Sequence, residues 1–334
     1  VNRNQIKKNS YYQQGELIGK NGIEKTYESD LRGVKGIKHI QKDKFNKEIG
    51  SYKEGVYDTL AIPGKDLTLT LDALLQEYGQ KLMTNKRGGI IAIEPSTGEI
   101  LSLVTAPSYD PNMMVGRKRS KNSVLFFGDT INKPMYDRSL QAEYPPGSPF
   151  KILTGLIGLQ ENVIDVNTNF TCLHGYKYGR KGFMGCHAHA SNVKLNFGIY
   201  TSCNTYFANT YRRIIEKYDT PTIGMNNWNK HVESFGLGNY FGNDVDGGRK
   251  GIIPNADFYD KWYPAKNWTA TYTLSNAIGQ GEVLTTPIQL ANMTAAVANR
   301  GFYYTPHIVK NIKGKTIDKK FTTKHVTTID KKHF

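Results

Sequence analysis

Gly89-Ile90-Ile91-Ala92-Ile93-Glu94-Pro95-Ser96-Thr97-Gly98-Glu99-Ile100-Leu101-Ser102-Leu103-Val104 is two apolar runs either side of a polar hexapeptide. The aliphatic, partly β-branched runs and the Pro and Gly between them specify a β-hairpin with a tight reversal. Upstream, Leu67-Thr68-Leu69-Thr70-Leu71 alternates as a strand does, and Asp72 stands where it caps a helix carrying Leu74, Leu75, Tyr78 and Leu82. Downstream the spacing turns helical, over 147–160, 204–218 and 286–299. Strands early and helices through the middle make the fold α+β rather than a repeating βαβ sheet. Residues 1–66 differ: they are polar, rich in Gly, Lys and Tyr, and broken by turn signals from Gly15 to Pro63-Gly64. The sequence therefore divides at Leu67 into a small irregular module, 1–66, and a larger domain, 67–334.

The chain has 334 residues, 38% of them hydrophobic, enough to pack cores in about two domains and to exclude disordered and collagen-like classes. Its 44 Lys+Arg against 29 Asp+Glu give a formal charge of +15, which favours anionic surroundings: a phospholipid surface, an acidic polymer or nucleic acid. The basic runs at Asn2 to Lys8, Arg117 to Lys121 and Lys310 to Lys332 form no RNA-reading or zinc-finger pattern, so no nucleic-acid partner is expected. No stretch approaches the roughly 18 to 20 continuous apolar residues of a membrane span, and Val1 begins no signal peptide. The chain starts and stops mid-pattern and is expected to be a piece of a longer protein.

The richest chemistry lies in Tyr144-Pro145-Pro146-Gly147-Ser148-Pro149-Phe150-Lys151. Two prolines and a glycine end one segment, and Ser148 then falls at a helix N-terminus where Pro149 is tolerated. Three apart on a helix, Ser148 and Lys151 stack on one face and can share a hydrogen bond. The helix is apolar nearly all round, so Lys151 is buried, and desolvation lowers an ammonium's pKa until the amine can act as a base. Free amides at the helix start suit the oxyanion that forms when a serine attacks an acyl carbon. Downstream, Ser202-Cys203-Asn204 places a second hydroxyl and a carboxamide two apart, where both can face one cleft while Cys203 points into the core. The hydroxyl suits a proton relay; the carboxamide suits holding Lys151 and a substrate peptide bond.

These motifs, in this order, resemble the class B penicillin-binding proteins. The resemblance extends to Ile18-Gly19-Lys20-Asn21-Gly22-Ile23-Glu24-Lys25 and Leu31-Arg32-Gly33, to Asp137-Arg138-Ser139-Leu140, and to Ala277-Ile278-Gly279-Gln280-Gly281-Glu282 followed by Thr286-Pro287-Ile288-Gln289. It implies a transpeptidase domain of the kind shared with serine β-lactamases, an antiparallel sheet with helical layers, above a pedestal of the dimerisation type. It implies a peptidoglycan D,D-transpeptidase of cell-wall elongation, with Ser148 the nucleophile, Lys151, Ser202 and Asn204 its catalytic partners, and no cofactor for the chemistry. Implied partners are stem peptides, β-lactams and a membrane glycosyltransferase; the implied location is the inner membrane, with the catalytic domain in the periplasm. The family's third motif, Lys-Ser/Thr-Gly, is absent. Lys313-Gly314-Lys315-Thr316 has the wrong order, and the true motif is expected beyond Phe334.

Two further functions fit an acylatable serine: a β-lactam sensor and a serine β-lactamase. The pedestal argues against both, and no E-x-x-L-N signature for activating a deacylating water follows Ser202. Cys172-Leu173-His174 and Cys186-His187-Ala188-His189 form a separate cluster. Cys172, Cys186, His187 and His189 could make a zinc site, as the resemblance permits; a Cys172–Cys186 disulfide and two reduced thiols are the alternatives.

Overall fold

The structure, a computed structural model, describes residues 9–334, so the basic run Asn2 to Lys8 lies outside it. The described residues fold as two compact units, one comprising 9–70, 244–247 and 307–318, the other the remaining residues.

The first unit has short helices, Gly22–Thr26 and Glu28–Leu31, and an antiparallel pair, Ile40–Lys42 with Glu48–Ser51. Strand Leu67–Leu69 pairs antiparallel with Val309–Ile312 in the same unit. A sequence without periodicity builds little apolar core, and buried carboxylates knit this unit instead. Asp244 is 1% exposed; one oxygen accepts from the Ile308 amide and the other from the Val309 amide and the Tyr27 hydroxyl, all at 2.9 Å. Asp30 accepts from Lys315 at 2.7 Å and pairs with Lys65. Lys313 and Lys315 thus bond to Asp66 and Asp30, a structural use of the Lys-rich segment.

In the second unit, helix α1 (Ala73–Leu82) begins at Asp72, whose carboxylate accepts from the Leu75 amide at 3.0 Å. Strands β1 (Gly88–Ile93) and β2 (Ile100–Ala106) form the expected antiparallel hairpin, with Ile91 opposite Leu103. The Glu94 carbonyl accepts from Gly98, which adopts φ 79, a left-handed turn that favours glycine. Along β2, Ile100, Ser102, Val104 and Ala106 are buried in strict alternation.

The apolar residues of α1 do not make its packing face. Leu74, Leu75, Tyr78 and Leu82 are exposed, and the helix meets β2 through Gln76 and Gly79. The Gln76 carboxamide bonds the Leu103 amide and carbonyl, each at 2.8 Å. A Cβ on Gly79 would lie 2.9 Å from Val104 Cγ2. Close backbone approach, with a side chain mimicking a strand partner, sets the helix's rotation.

Helices α2 (Lys151–Gln160), α3 (Asn204–Glu216) and α4 (Pro221–Glu233) surround the main core; α5 (Pro287–Ala298) packs on β1. Phe150, Leu153, Ile157, Tyr206, Phe207, Tyr211 and Trp228 are fully buried there, each worth about 1.5–3 kcal/mol of transfer free energy. Trp228 takes Tyr211 edge-on at 5.6 Å and Phe150 at 6.1 Å. Thr220 caps α4, and at the start of α5 the Gln289 carboxamide reaches back to accept from the Thr286 amide at 3.0 Å.

Candidate active site

The Pro-Pro-Gly break ends in Gly147 at φ 66, and the chain then turns through a short 3-10 segment, Ser148–Phe150, before α2 begins at Lys151. Ser148 is exposed; Lys151, 3% exposed, is drawn inward because its neighbours Phe150 and Leu153 fill the core. Burial pushes the Lys151 ammonium below its ordinary pKa, opposed by the negative charge the Cys186 and Cys203 thiols can carry.

Lys151 makes its hydrogen bonds to Ser202 rather than directly to Ser148. Its Nζ donates to the Ser202 carbonyl at 2.6 Å and to Ser202 Oγ at 2.8 Å, and Ser202 Oγ donates to Ser148 Oγ at 3.0 Å. The three groups form one continuous chain from a buried amine to an exposed hydroxyl. Ser202 reaches this position at φ 54, a left-handed conformation that costs an L-residue roughly 1–2 kcal/mol. The turn is imposed by its flanks: the Ser202 amide bonds Ile199, Cys203 bonds Gly198, and Cys203, fully buried, caps α3 through its sulfur to the Tyr206 amide.

Asn204, the first residue of α3, does not hold Lys151. Its Nδ2 donates to the Gly185 carbonyl at 2.7 Å and its amide to Cys186 Sγ at 3.2 Å, tying α3 to the strand Gly182–Gly185.

All three cysteines are free. The Sγ atoms of Cys172, Cys186 and Cys203 and a ring nitrogen of His189 lie within 4.8 Å of one another; His187, exposed, is outside this group. Burial pushes the Cys186 thiol up, but hydrogen bonds from His189 and from the Thr205 and Asn204 amides outweigh it and bring the thiol to about 7. Burial pushes Cys203 up to about 12. The sequence reading missed Cys203 as a donor; its place between two polar, cleft-facing residues at a helix start was the available signal.

A third group braces the Ser148 turn. The Gly147 amide donates to the Gly279 carbonyl at 2.8 Å, Tyr144 and Thr285 exchange backbone bonds at 2.9 Å, and Thr154 Oγ1 donates to the Ala277 carbonyl at 2.9 Å. A Cβ on Gly279 would stand 2.5 Å from the Gly147 carbonyl oxygen.

A buried lysine is joined through one serine to a second, exposed serine, an arrangement that can carry a proton between amine and hydroxyl. The chain belongs to the penicillin-binding protein transpeptidase family, whose domain model matches residues 88–334; residues 1–69 match the penicillin-binding protein dimerisation domain. It is 33% identical over 308 residues to the peptidoglycan D,D-transpeptidase MrdA of Acinetobacter baumannii, covering 89% of this chain and 43% of the relative. MrdA of Escherichia coli K12 is 30% identical over 304 residues, covering 87% and 44%. The chain thus spans less than half the length of these relatives. Among solved structures, Helicobacter pylori PBP2 in complex with MreC matches with a TM-score of 0.79 and 29% identity over 96% of this chain and 58% of that one. Pseudomonas aeruginosa PBP2 in complex with WCK 5153 matches with a TM-score of 0.76 and 31% identity over 95% and 64%.

Proposed function

We propose that the chain carries the acyl-transfer centre of a peptidoglycan D,D-transpeptidase acting in cell-wall elongation, with Ser148 as nucleophile. The observation that carries this is the Lys151–Ser202–Ser148 chain, buried at its amine end and open at its hydroxyl end. Lys151 donates to the Ser202 carbonyl, so when neutral it keeps its lone pair for the Ser202 hydroxyl. Ser148 Oγ attacks the penultimate D-Ala carbonyl carbon of a stem peptide; its proton passes to Ser202 Oγ while the Ser202 proton passes to Lys151. The Ser148 amide donates to the oxyanion. Collapse breaks the peptide C–N bond, and the proton returns along the same chain to the departing D-Ala amine. An amine of a neighbouring strand then attacks the ester, gives its proton to the relay, and releases Ser148 with its hydroxyl restored. Asn204, fixed through its Nδ2, offers its carboxamide oxygen to a substrate N–H. β-Lactams acylate the same serine.

By the same reading, residues 1–66 are part of a pedestal and 67–334 the catalytic domain. A membrane glycosyltransferase and an MreC-like protein are the partners proposed, at the inner membrane with the catalytic domain in the periplasm. Among the described residues no helix is long and apolar enough to cross a membrane. Zinc fits the Cys172, Cys186, His189 and Cys203 donors, since ligand atoms about 2.0–2.3 Å from a tetrahedral ion lie within the observed separations. Bound there, the ion would cross-link these segments and neutralise their thiolates; no catalytic step passes through it. Metal analysis of protein purified without chelator tests this, and stoichiometry near zero removes the zinc.

Labelling with a fluorescent penicillin tests the transpeptidase reading. A Ser148-linked adduct persisting for hours supports it; rapid turnover of penicillin, as in a β-lactamase, refutes it.

A further inference from the structure

The Ala277–Glu282 motif has a bracing contact with the nucleophile's turn, and a buried hydrogen-bond chain holds that brace in place. Asn276, fully buried, donates from Nδ2 to the Tyr259 hydroxyl at 2.7 Å and toward the Tyr211 hydroxyl at 3.4 Å. Tyr259 donates in turn to Glu282 Oε2 at 2.9 Å, and Tyr211 donates to Thr273 Oγ1 at 2.9 Å. Burial raises both phenols above their ordinary pKa, so both remain donors. The chain runs from Glu282, at the end of the Gly279-Gln280-Gly281-Glu282 loop, through the helix Ala256–Trp262 to α3, which begins with Asn204. The loop meets Gly147 at its first residue, where the Gly279 carbonyl accepts from the Gly147 amide at 2.8 Å. Gly279 adopts φ 64, and no side chain fits between it and Gly147.

From this we infer that Tyr259, Asn276 and Glu282 are positioning residues for acylation: they latch the Gly279 loop so that its carbonyl fixes the Gly147 amide, and thereby the direction of the Ser148 hydroxyl and amide. The latch touches neither substrate nor reacting atoms. It acts one residue upstream of the nucleophile, where a small rotation moves Oγ relative to both Ser202 and the acyl carbon. Misplacement of this kind lowers the rate of the bond-forming step and leaves the preceding encounter complex intact. The inference rests on Ser148 being the acylated residue.

Tyr259→Phe in the full chain removes one hydroxyl and keeps the ring packed against Trp268 and Phe258. Glu282→Ala removes the acceptor at the loop's end, and Glu282→Gln restores an oxygen there. Stopped-flow acylation by a β-lactam separates the acylation rate constant from the dissociation constant of the non-covalent complex. Tyr259→Phe and Glu282→Ala are expected to lower the rate constant about tenfold with the dissociation constant within twofold, and Glu282→Gln to recover most of it. Amide hydrogen exchange of the peptide containing Gly147 is expected to speed up in the first two variants only. Wild-type acylation rates in Tyr259→Phe and Glu282→Ala, with wild-type exchange at Gly147, overturn the latch. A lowered rate in Glu282→Gln equal to that in Glu282→Ala also overturns it, because the acceptor oxygen then does nothing. Failure of the unsubstituted protein to label at Ser148 sinks the transpeptidase reading instead, and the exchange measurement then still decides whether the latch holds Gly147.

Discussion

Ser202→Ala and Ser202→Gly make a paired test of the relay. Both delete the Oγ that accepts from Lys151 at 2.8 Å and donates to Ser148 at 3.0 Å, while Lys151 keeps its bond to the residue-202 carbonyl at 2.6 Å. Without the bridging hydroxyl, proton transfer from Ser148 loses a positioned partner, an effect of about 10²–10⁴ in rate. At about 1.4 kcal/mol per decade this raises the acylation barrier by about 3–5 kcal/mol. Stability responds differently. Alanine inherits the left-handed φ of 54 and its cost of roughly 1–2 kcal/mol, whereas glycine is free of it. Glycine's greater unfolded-state entropy returns about 0.5–1 kcal/mol, leaving Ser202→Gly more stable than Ser202→Ala by up to about 1.5 kcal/mol. Stopped-flow acylation and urea denaturation read the two quantities separately. The expected result is equal slowing with unequal stability. Acylation by Ser202→Ala within threefold of the unsubstituted protein would refute the relay, and a glycine variant less stable than the alanine one would refute the strain.

Ser148→Ala is expected to abolish covalent penicillin labelling with an unchanged circular dichroism spectrum; surviving label would mean another nucleophile. Lys151→Ala should slow labelling by about 10² or more while the protein stays folded, checked by labelling time courses beside thermal melts. Gly279→Ala forces a Cβ within 2.5 Å of the Gly147 carbonyl at a left-handed φ, and a loss of about 2 kcal/mol or more in urea denaturation is expected. Burial pushes the Glu161 carboxyl up, but hydrogen bonds from Lys217, Tyr218 and His231 outweigh it and hold it at about 2. A carboxyl depressed on folding contributes stability in full above its unfolded pKa of about 4.5 and loses it as pH falls toward 2. Glu161→Gln should therefore flatten the decline of stability over that window; an unchanged slope would show that Glu161 is not the titrating group.

The hairpin at Gly89–Val104 and the helix starts at Asp72 and Thr286 were legible because each is written in consecutive residues: alternation, a turn, a cap. The rotation of α1 was not, since Leu74 and Tyr78 outweigh Gly79 in any apolar count, while packing turned on how closely a glycine lets two backbones approach. In the site, the Ser148–Lys151 spacing marked both residues, but it suggested a direct bond between them. The path through Ser202 depends on a left-handed turn 51 residues away and on Ile199 and Gly198 enforcing it. Asn276 was unreadable for a similar reason: its partners Tyr259 and Tyr211 come from two other helices, and nothing in the local pattern distinguishes it from a surface amide.

Asp244, and the strand Val309–Ile312 laid against Leu67–Leu69, bear on how this polypeptide is made. The unit built around residues 9–70 draws its strand partner and a buried anion from pieces that leave the ribosome much later. Leu67–Leu69 stays unpaired until translation has passed residue 312, and Tyr27 lacks its acceptor until Asp244 is made. A shortened product ending near residue 300 would carry that open edge permanently, and would be an early target for chaperones and proteases.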